Sequence, residues 1–150
     1  MAWRRFFRKP AAVPLSEIVR HFNQAASDEE HFPSTIDPRI YHVRLILEYF
    51  GDLAGKRVLD VGCGKGRFAR VLQERHAGAS LVGLDLAEAM LRHMPAGIAA
   101  CSGSMTALPF RSESFDCAYA TESLEHAVDI ERAVAEIGRA SCRERVYGPV

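Results

Sequence analysis

From Asp60 to Gly66 the chain reads Asp-Val-Gly-Cys-Gly-Lys-Gly. Three glycines in five residues allow a tight turn and let a ligand come close to the backbone. A second acid, Asp85, ends the apolar run Leu81-Val82-Gly83-Leu84, about twenty residues on, where a carboxylate accepts hydrogen bonds from ribose hydroxyls. Loop and acid together imply a nucleoside ligand. A dinucleotide fingerprint has the spacing G-x-G-x-x-G and seats a pyrophosphate on a helix N-terminus. This chain has G-x-G-x-G, and it puts Asp60 two residues before Gly62, where its charge repels a pyrophosphate and suits a cationic, amine-bearing ligand. Further on, Glu122, Glu125 and His126 fall within Thr121-Glu122-Ser123-Leu124-Glu125-His126. One helical turn would gather them into an oxygen and nitrogen donor set suited to a divalent ion. Short motifs of this kind match often by chance, and the reading carried forward is a site without a metal.

Strands alternating with helices are needed to position these groups. Val58-Leu59-Asp60-Val61 is a β-branched-rich run leading directly into the glycine loop, and Phe68, Val71 and Leu72 follow at helical spacing. Leu81 to Asp85 predicts a second strand, and Ala87 to His93 a helix broken by Pro95. Ile98 to Cys101 predicts a weaker third strand, Phe115 to Ala120 a fourth, and a helix starts near Ile130. The pattern predicts an α/β fold with a Rossmann-like, doubly wound parallel sheet, whose ligand crevice lies beyond the carboxyl ends of the strands. Two helices precede it: Leu15 to Ala26, with its stripe Leu15, Ile18, Val19 and Phe22, and roughly 38–50, with Asp37 as N-cap and Pro38 in the first turn. Both are expected to cover the sheet. The resulting organisation is a basic flexible start over 1–14, helices over 15–55 and a ligand-binding core over 56–136.

The segment Val58-Leu59-Asp60-Val61-Gly62-Cys63-Gly64-Lys65-Gly66 resembles the first motif of class I S-adenosylmethionine-dependent methyltransferases. The resemblance runs from about Lys56 to Glu136. Gly83-Leu84-Asp85-Leu86-Ala87-Glu88-Ala89-Met90-Leu91 is similar to the family's ribose-binding segment. Ser104-Met105-Thr106-Ala107-Leu108-Pro109-Phe110, followed by Ser114-Phe115-Asp116, is similar to the segment beside adenine. The resemblance implies S-adenosylmethionine as cofactor, held by Asp60, Gly62, Cys63, Gly64, Gly66, Asp85, Leu86, Ser104, Met105 and Thr121. Many relatives carry an Asp at the position of Ser104, where it binds the adenine amino group; a serine does so more weakly.

The segment after the fourth strand lies near the methionine portion and the acceptor in such relatives. Its Glu-x-x-Glu-His pattern is also similar to the metal-binding segment of ubiquinone-biosynthesis and small-RNA methyltransferases. Methyl transfer from a sulfonium asks the protein to hold donor and acceptor in line and exclude water. If the acceptor needs a base, His126 is the nearest candidate, backed by Glu122 or Glu125. Cys63 reads as a small spacer, His76 and His93 as solvated, Phe68 as core, and Tyr41 and Arg44 as exposed face rather than a lid. Relatives with the Leu-Pro-Phe and Glu-His patterns act on quinones, lipids, sugars and other small molecules, so a small-molecule acceptor is expected. The rival readings are a nicotinamide- or other nucleotide-binding domain and a non-catalytic S-adenosylmethionine-binding domain.

The 150 residues are 48% hydrophobic and 25% charged, with 19 basic residues against 19 acidic ones. That composition fits one globular domain and gives no whole-chain field that would attract nucleic acid. Trp3-Arg4-Arg5-Phe6-Phe7-Arg8-Lys9 is a local basic patch able to make weak peripheral membrane contact. Cys63, Cys101, Cys117 and Cys142 form no C-x-x-C pair. With no secretory signal pattern and no membrane-length apolar run, a soluble cytoplasmic protein is expected. From Ile137 onward the family's usual turn and fifth strand are replaced by Gly138-Arg139-Ala140-Ser141-Cys142-Arg143-Glu144-Arg145-Val146, which resembles a translated sequencing adapter. Residues 137–150 are therefore set apart as a suspected non-native tail, with the domain incomplete at its C-terminus.

Overall fold

The structure is a computed structural model describing residues 13–141. The basic stretch from Trp3 to Lys9, and Cys142 with the residues after it, lie outside the described residues. The elements in chain order are α1 (Leu15–Ala25), α2 (Tyr41–Phe50), β1 (Arg57–Val61), α3 (Arg67–Arg75), β2 (Ser80–Asp85), α4 (Glu88–Leu91), β3 (Ala99–Ser102), β4 (Cys117–Tyr119) and α5 (Ile130–Ala140).

The four strands form one parallel sheet in the order β3-β2-β1-β4. From β1 the chain winds outward through β2 and β3, then returns to the other side of β1 for β4. The switch point thus falls at the carboxyl ends of β1 and β4, where open α/β sheets bind ligands. Strand β1 is buried from Val58 to Val61, as expected for a central strand covered on both faces.

Alternation along the strands assigns each side chain to a face. Val58, Cys117 and Tyr119 pack with Val43, Ile46 and Phe50 of α2 and with Phe68, Val71 and Leu72 of α3. Leu59, Val61, Ala118 and Ala120 point the opposite way, into a cluster with Leu84, Leu108, Phe115 and Ile137 and Ala140 of α5. Asp129 caps α5 by accepting from the Arg132 N–H at 3.0 Å. Within the segment set apart as a tail, Ile137 and Ala140 are buried, and Arg139 donates to the Phe110 and Leu108 carbonyls at 2.7 and 3.1 Å. Arg139 also pairs with Glu136, which holds the Glu136 carboxyl down at about 2. Ser141 then forms a parallel bridge with Phe115.

The N-terminal helices differ from expectation in two ways. Helix α2 covers the sheet, but α1 packs instead on α4, through a small cluster of Ala26, Ala87 and Met90 flanked by Phe22, Ala25, Phe32 and Ala89. No residue of α1 is fully buried, so its narrow apolar stripe covers a single turn of helix rather than a sheet. Helix α2 starts at Tyr41 with Ile40 as N-cap, not at Asp37. The Asp37 carboxylate is taken by the Arg39 guanidinium and N–H, which closes a separate turn ahead of the helix and holds its pKa down at about 2.

Candidate functional site

The glycine loop leaves β1 in a left-handed conformation at Gly62, Gly64 and Gly66, with φ of 72°, 53° and 75°. The three positions have different reasons to be glycine. A Cβ at Gly62 would lie 2.4 Å from Ser123 Cβ, and one at Gly66 would lie 2.2 Å from Met94 Sδ. At Gly64 it would meet nothing within 4 Å. Gly62 and Gly66 let other parts of the protein close on the loop, and Gly64 leaves one side open.

Asp85 is the hub. Its Oδ2 accepts from the Gly64 N–H at 2.8 Å and its Oδ1 from the Ala87 N–H at 2.9 Å, which ties the end of β2 to the loop after β1. Burial raises its pKa, opposed by these backbone N–H groups.

A cavity of about 380 Å³ opens beside this junction. Of the residues singled out in the sequence, Gly62, Cys63, Gly64, Asp85, Leu86, Ser104, Met105 and Thr121 line it, as do Glu122, Glu125 and His126. Ser104 lies at the end beyond β3, its hydroxyl 2.8 Å from that of Thr106. Thr121 is 6% exposed, and its Oγ1 has no hydrogen-bond partner among the described residues. Cys63 is buried, and burial pushes its thiol far up, away from the reactive thiolate. Gly66 stands outside the lining as the left-handed N-cap of α3.

Asp60 also stands outside the lining. On the Val58 face of β1, its Oδ2 accepts from the Tyr119 hydroxyl at 2.8 Å, and it is 4% exposed. Burial raises its carboxyl to about 7, against the lowering effect of the Tyr119 bond. The acid thus faces the core beneath α2 and α3 rather than the crevice.

Glu122, Glu125 and His126 do not converge. Glu122 sits before a single 3-10 turn, Leu124–His126, and pairs with the Arg67 guanidinium, with His42 Nδ1 3.4 Å away. Its φ of 53° lies in the left-handed region, at a cost of about 1 kcal/mol for a side chain of this kind. The His126 ring instead meets the Phe22 ring edge-on at 5.0 Å, 4.0 Å from Glu125 at Nε2. Among the described residues no three His, Cys, Asp or Glu side chains are placed to hold a metal ion.

Sequence reasoning missed three groups. Lys65 has a side chain 1% exposed, with Nζ 2.6 Å from Glu29 Oε1. This clasps the loop to the segment after α1, whose His31, Phe32 and Pro33 wall the cavity. Asn23 Oδ1 accepts from the Ala89 N–H at 2.9 Å, capping α4 from another helix. Arg67, the first residue of α3, lines the cavity above Phe68, its guanidinium 5.1 Å from the ring centre. Their polar partners Glu29, Ala89 and Glu122 lie 36, 66 and 55 residues away, so no local spacing announces them; the positive charge of Lys65 inside a glycine loop was the available signal.

The arrangement suits a nucleoside whose ribose reaches Asp85, with backbone approach at Gly64 and a polar group near Thr121. Residues 59–143, more than half of the chain, match the family described as "Methyltransferase domain". The chain is 31% identical to 24-methylenesterol C-methyltransferase 2 of Arabidopsis thaliana, over 89% of this chain and 44% of that protein. It spans less than half the length of the first curated relatives it matches. Among solved structures, an S-adenosylmethionine-dependent methyltransferase from Mesorhizobium loti is 30% identical at a TM-score of 0.59, over 69% of this chain and 50% of that one. The [4+2]-cyclase SpnF shares the fold at a TM-score of 0.74 with 20% identity, over 88% and 58% of the two chains. Motif order, sheet topology and family match agree, and the chain belongs to the class I S-adenosylmethionine-dependent methyltransferases.

Proposed function

We propose that this chain is the cofactor-binding part of an enzyme that transfers a methyl group from S-adenosylmethionine to a small-molecule acceptor of lipid or quinone type. The observation that carries the reading is the Asp85 carboxylate held against the Gly64 N–H at the mouth of a cavity of about 380 Å³, a junction that presents a ribose acceptor and an open backbone together. The bound cofactor supplies an activated methyl group on a sulfonium. The residues here do the holding: Gly62, Cys63 and Gly64 form the floor, Asp85 and Leu86 the ribose end, Ser104 and Met105 the base end, and Thr121 the far end. Asp60 and Gly66 serve by shaping the loop from behind.

An apolar acceptor is supported by the wall opposite the loop, where Leu15, Ile18 and Phe22 of α1 face the cavity. The Arabidopsis relative is named for a sterol and the Mycobacterium leprae relative for phthiotriol dimycocerosates, both apolar compounds. His126 is half-exposed at the rim, where it can take a proton from a hydroxyl acceptor as methyl transfer proceeds. The reading includes a cytoplasmic location and no nucleic-acid partner; no helix among the described residues is long and apolar enough to cross a membrane.

The test, run on the full-length gene product, is calorimetric binding of S-adenosylhomocysteine against NAD, followed by methyl transfer from labelled S-adenosylmethionine to sterol, quinone and acyl-lipid panels. Preference for NAD would overturn the cofactor. Tight S-adenosylhomocysteine binding without transfer to any acceptor would favour a non-catalytic binding domain. A His126→Ala chain with full turnover would remove the base.

A further inference from the structure

The cavity adjoins a second hollow. A groove of about 790 Å³ runs between α1 and the segment 125–128, and Ile18, Phe22, Phe32 and His126 line both spaces. Val13 and Val128 lie on the groove and Leu15 on the cavity beside it, and these three apolar side chains are 54%, 45% and 40% exposed. Ile130, next but one after Val128, is 51% exposed. Apolar side chains left in water together at the mouth of a ligand space mark a surface that meets another apolar phase.

The chain arrives at this mouth directly from Trp3-Arg4-Arg5-Phe6-Phe7-Arg8-Lys9, because Val13 is the first described residue. Ahead of Glu17 the sequence holds four basic side chains and no acid. In the groove itself Arg20, His21 and His126 stand beside Glu17 and Glu125, so the positive excess comes from the leading segment. Basic residues interleaved with Trp and Phe suit an anionic interface, where the charges meet head groups and the rings sit at the boundary with the acyl chains. A soluble polyanion would satisfy the arginines and leave Val13, Leu15 and Val128 in water. We propose that residues 3–9 and the apolar rim of Val13, Leu15 and Val128 dock together on an anionic lipid bilayer, with the mouth of the groove turned to the lipid. An apolar acceptor then passes from bilayer to cavity without crossing water. That last consequence rests on the reading of the cavity as a methyltransferase site; the docking does not.

The experiment is co-sedimentation of the full-length gene product with vesicles of phosphatidylcholine alone, or of phosphatidylcholine with one part in four of phosphatidylserine, without cofactor or acceptor. The wild type partitions onto the phosphatidylserine vesicles about tenfold or more better than onto the neutral ones, and added salt weakens the preference. Replacing both Arg4→Ala and Arg5→Ala lowers partitioning by about twentyfold, the scale of two basic residues beside anionic lipid. Val13→Asp and Val128→Asp each lower it by about three- to tenfold while melting like the wild type. Val13 precedes α1, so Val13→Asp keeps the test decisive if Val128→Asp unfolds. Equal binding to the two vesicles, or binding to neither, would overturn the docking face. So would a loss confined to the arginine pair, which leaves a free basic tail and gives the rim no part. Titration of S-adenosylhomocysteine in solution reads the cofactor site separately, so either reading can fail while the other stands.

Discussion

Lys65 and Glu29 meet at 2.6 Å across 36 residues of chain, yet the lysine side chain is 1% exposed and the glutamate 56%. The two members of the pair are therefore unequal. Glu29→Gln keeps an oxygen that can accept from Lys65 Nζ but removes the counter-charge of a buried ammonium, whose other neighbour is the Asp28 carbonyl at 3.5 Å, whereas Lys65→Met leaves a carboxylate in water, still bonded to the Ser34 N–H and hydroxyl. Glu29→Gln should lower the urea midpoint more than Lys65→Met, and the double variant should resemble Lys65→Met. Equal shifts for the two single variants would contradict the asymmetry.

Asp85→Ala removes the acceptor proposed for the ribose hydroxyls and the tie to Gly64 N–H. S-adenosylhomocysteine affinity should fall by about 1.5–3 kcal/mol, the scale of hydrogen bonds to a charged group. Calorimetry showing wild-type affinity would rule out the ribose role.

The glycines of the loop should separate stability from binding. Gly62→Ala forces a Cβ to 2.4 Å from Ser123 Cβ and should cost about 1–3 kcal/mol of stability. Gly64→Ala meets nothing within 4 Å and should cost only the left-handed backbone, about 1 kcal/mol. Gly64→Val, with its branch beside the cavity, should keep most of the fold and lose most of the S-adenosylhomocysteine affinity. Thermal melts run beside titrations check both halves, and a Gly64→Val chain with normal binding would remove Gly64 from the site.

Asp60 makes stability depend on pH in an unusual direction. Its folded pKa of about 7 lies above the ordinary value of 3.8 because of burial. The folded state therefore keeps a proton that the unfolded chain has released, and stability is lost as pH rises from about 4 to about 7. Asp60→Asn retains an acceptor for the Tyr119 hydroxyl and cannot ionise. Its stability relative to wild type should rise between pH 5 and pH 7.5, by on the order of 2 kcal/mol at roughly 1.4 kcal/mol per pH unit of proton release. Parallel denaturation curves at the two pH values settle it; a constant difference would mean that Asp60 is already charged at pH 5.

Much of this site could be read from local sequence because its central part is local. Strand, glycine loop and helix follow one another from Arg57 to Arg75, and Asp85 ends the adjacent strand in register, with Val61 beside Leu84. The N-cap of α5 at Asp129 is likewise a matter of three residues. Asp60 was misleading: its charge suits a cationic ligand, but alternation along β1 puts it on the Val58 face, away from the crevice, and that alternation was available in the sequence. Arg67 and Asn23 were not legible, since their partners Glu122 and Ala89 lie 55 and 66 residues away. The start of α2 failed because Asp37 prefers the nearby Arg39 to a helix N-terminus.

Helix α1 forms a wall of the cavity while burying none of its own residues fully, and Asn23 fastens it to α4 by one hydrogen bond. Such a wall can come away by local opening without unfolding the sheet. In deuterated solvent its amides should label long before those of β1, and the Ala89 amide should label with them rather than with the rest of the core. A ligand filling the cavity from the Asp85 side would slow that labelling through contacts with Ile18 and Phe22. Isotope uptake in α1 thus offers a measure of occupancy that needs no knowledge of the methyl acceptor.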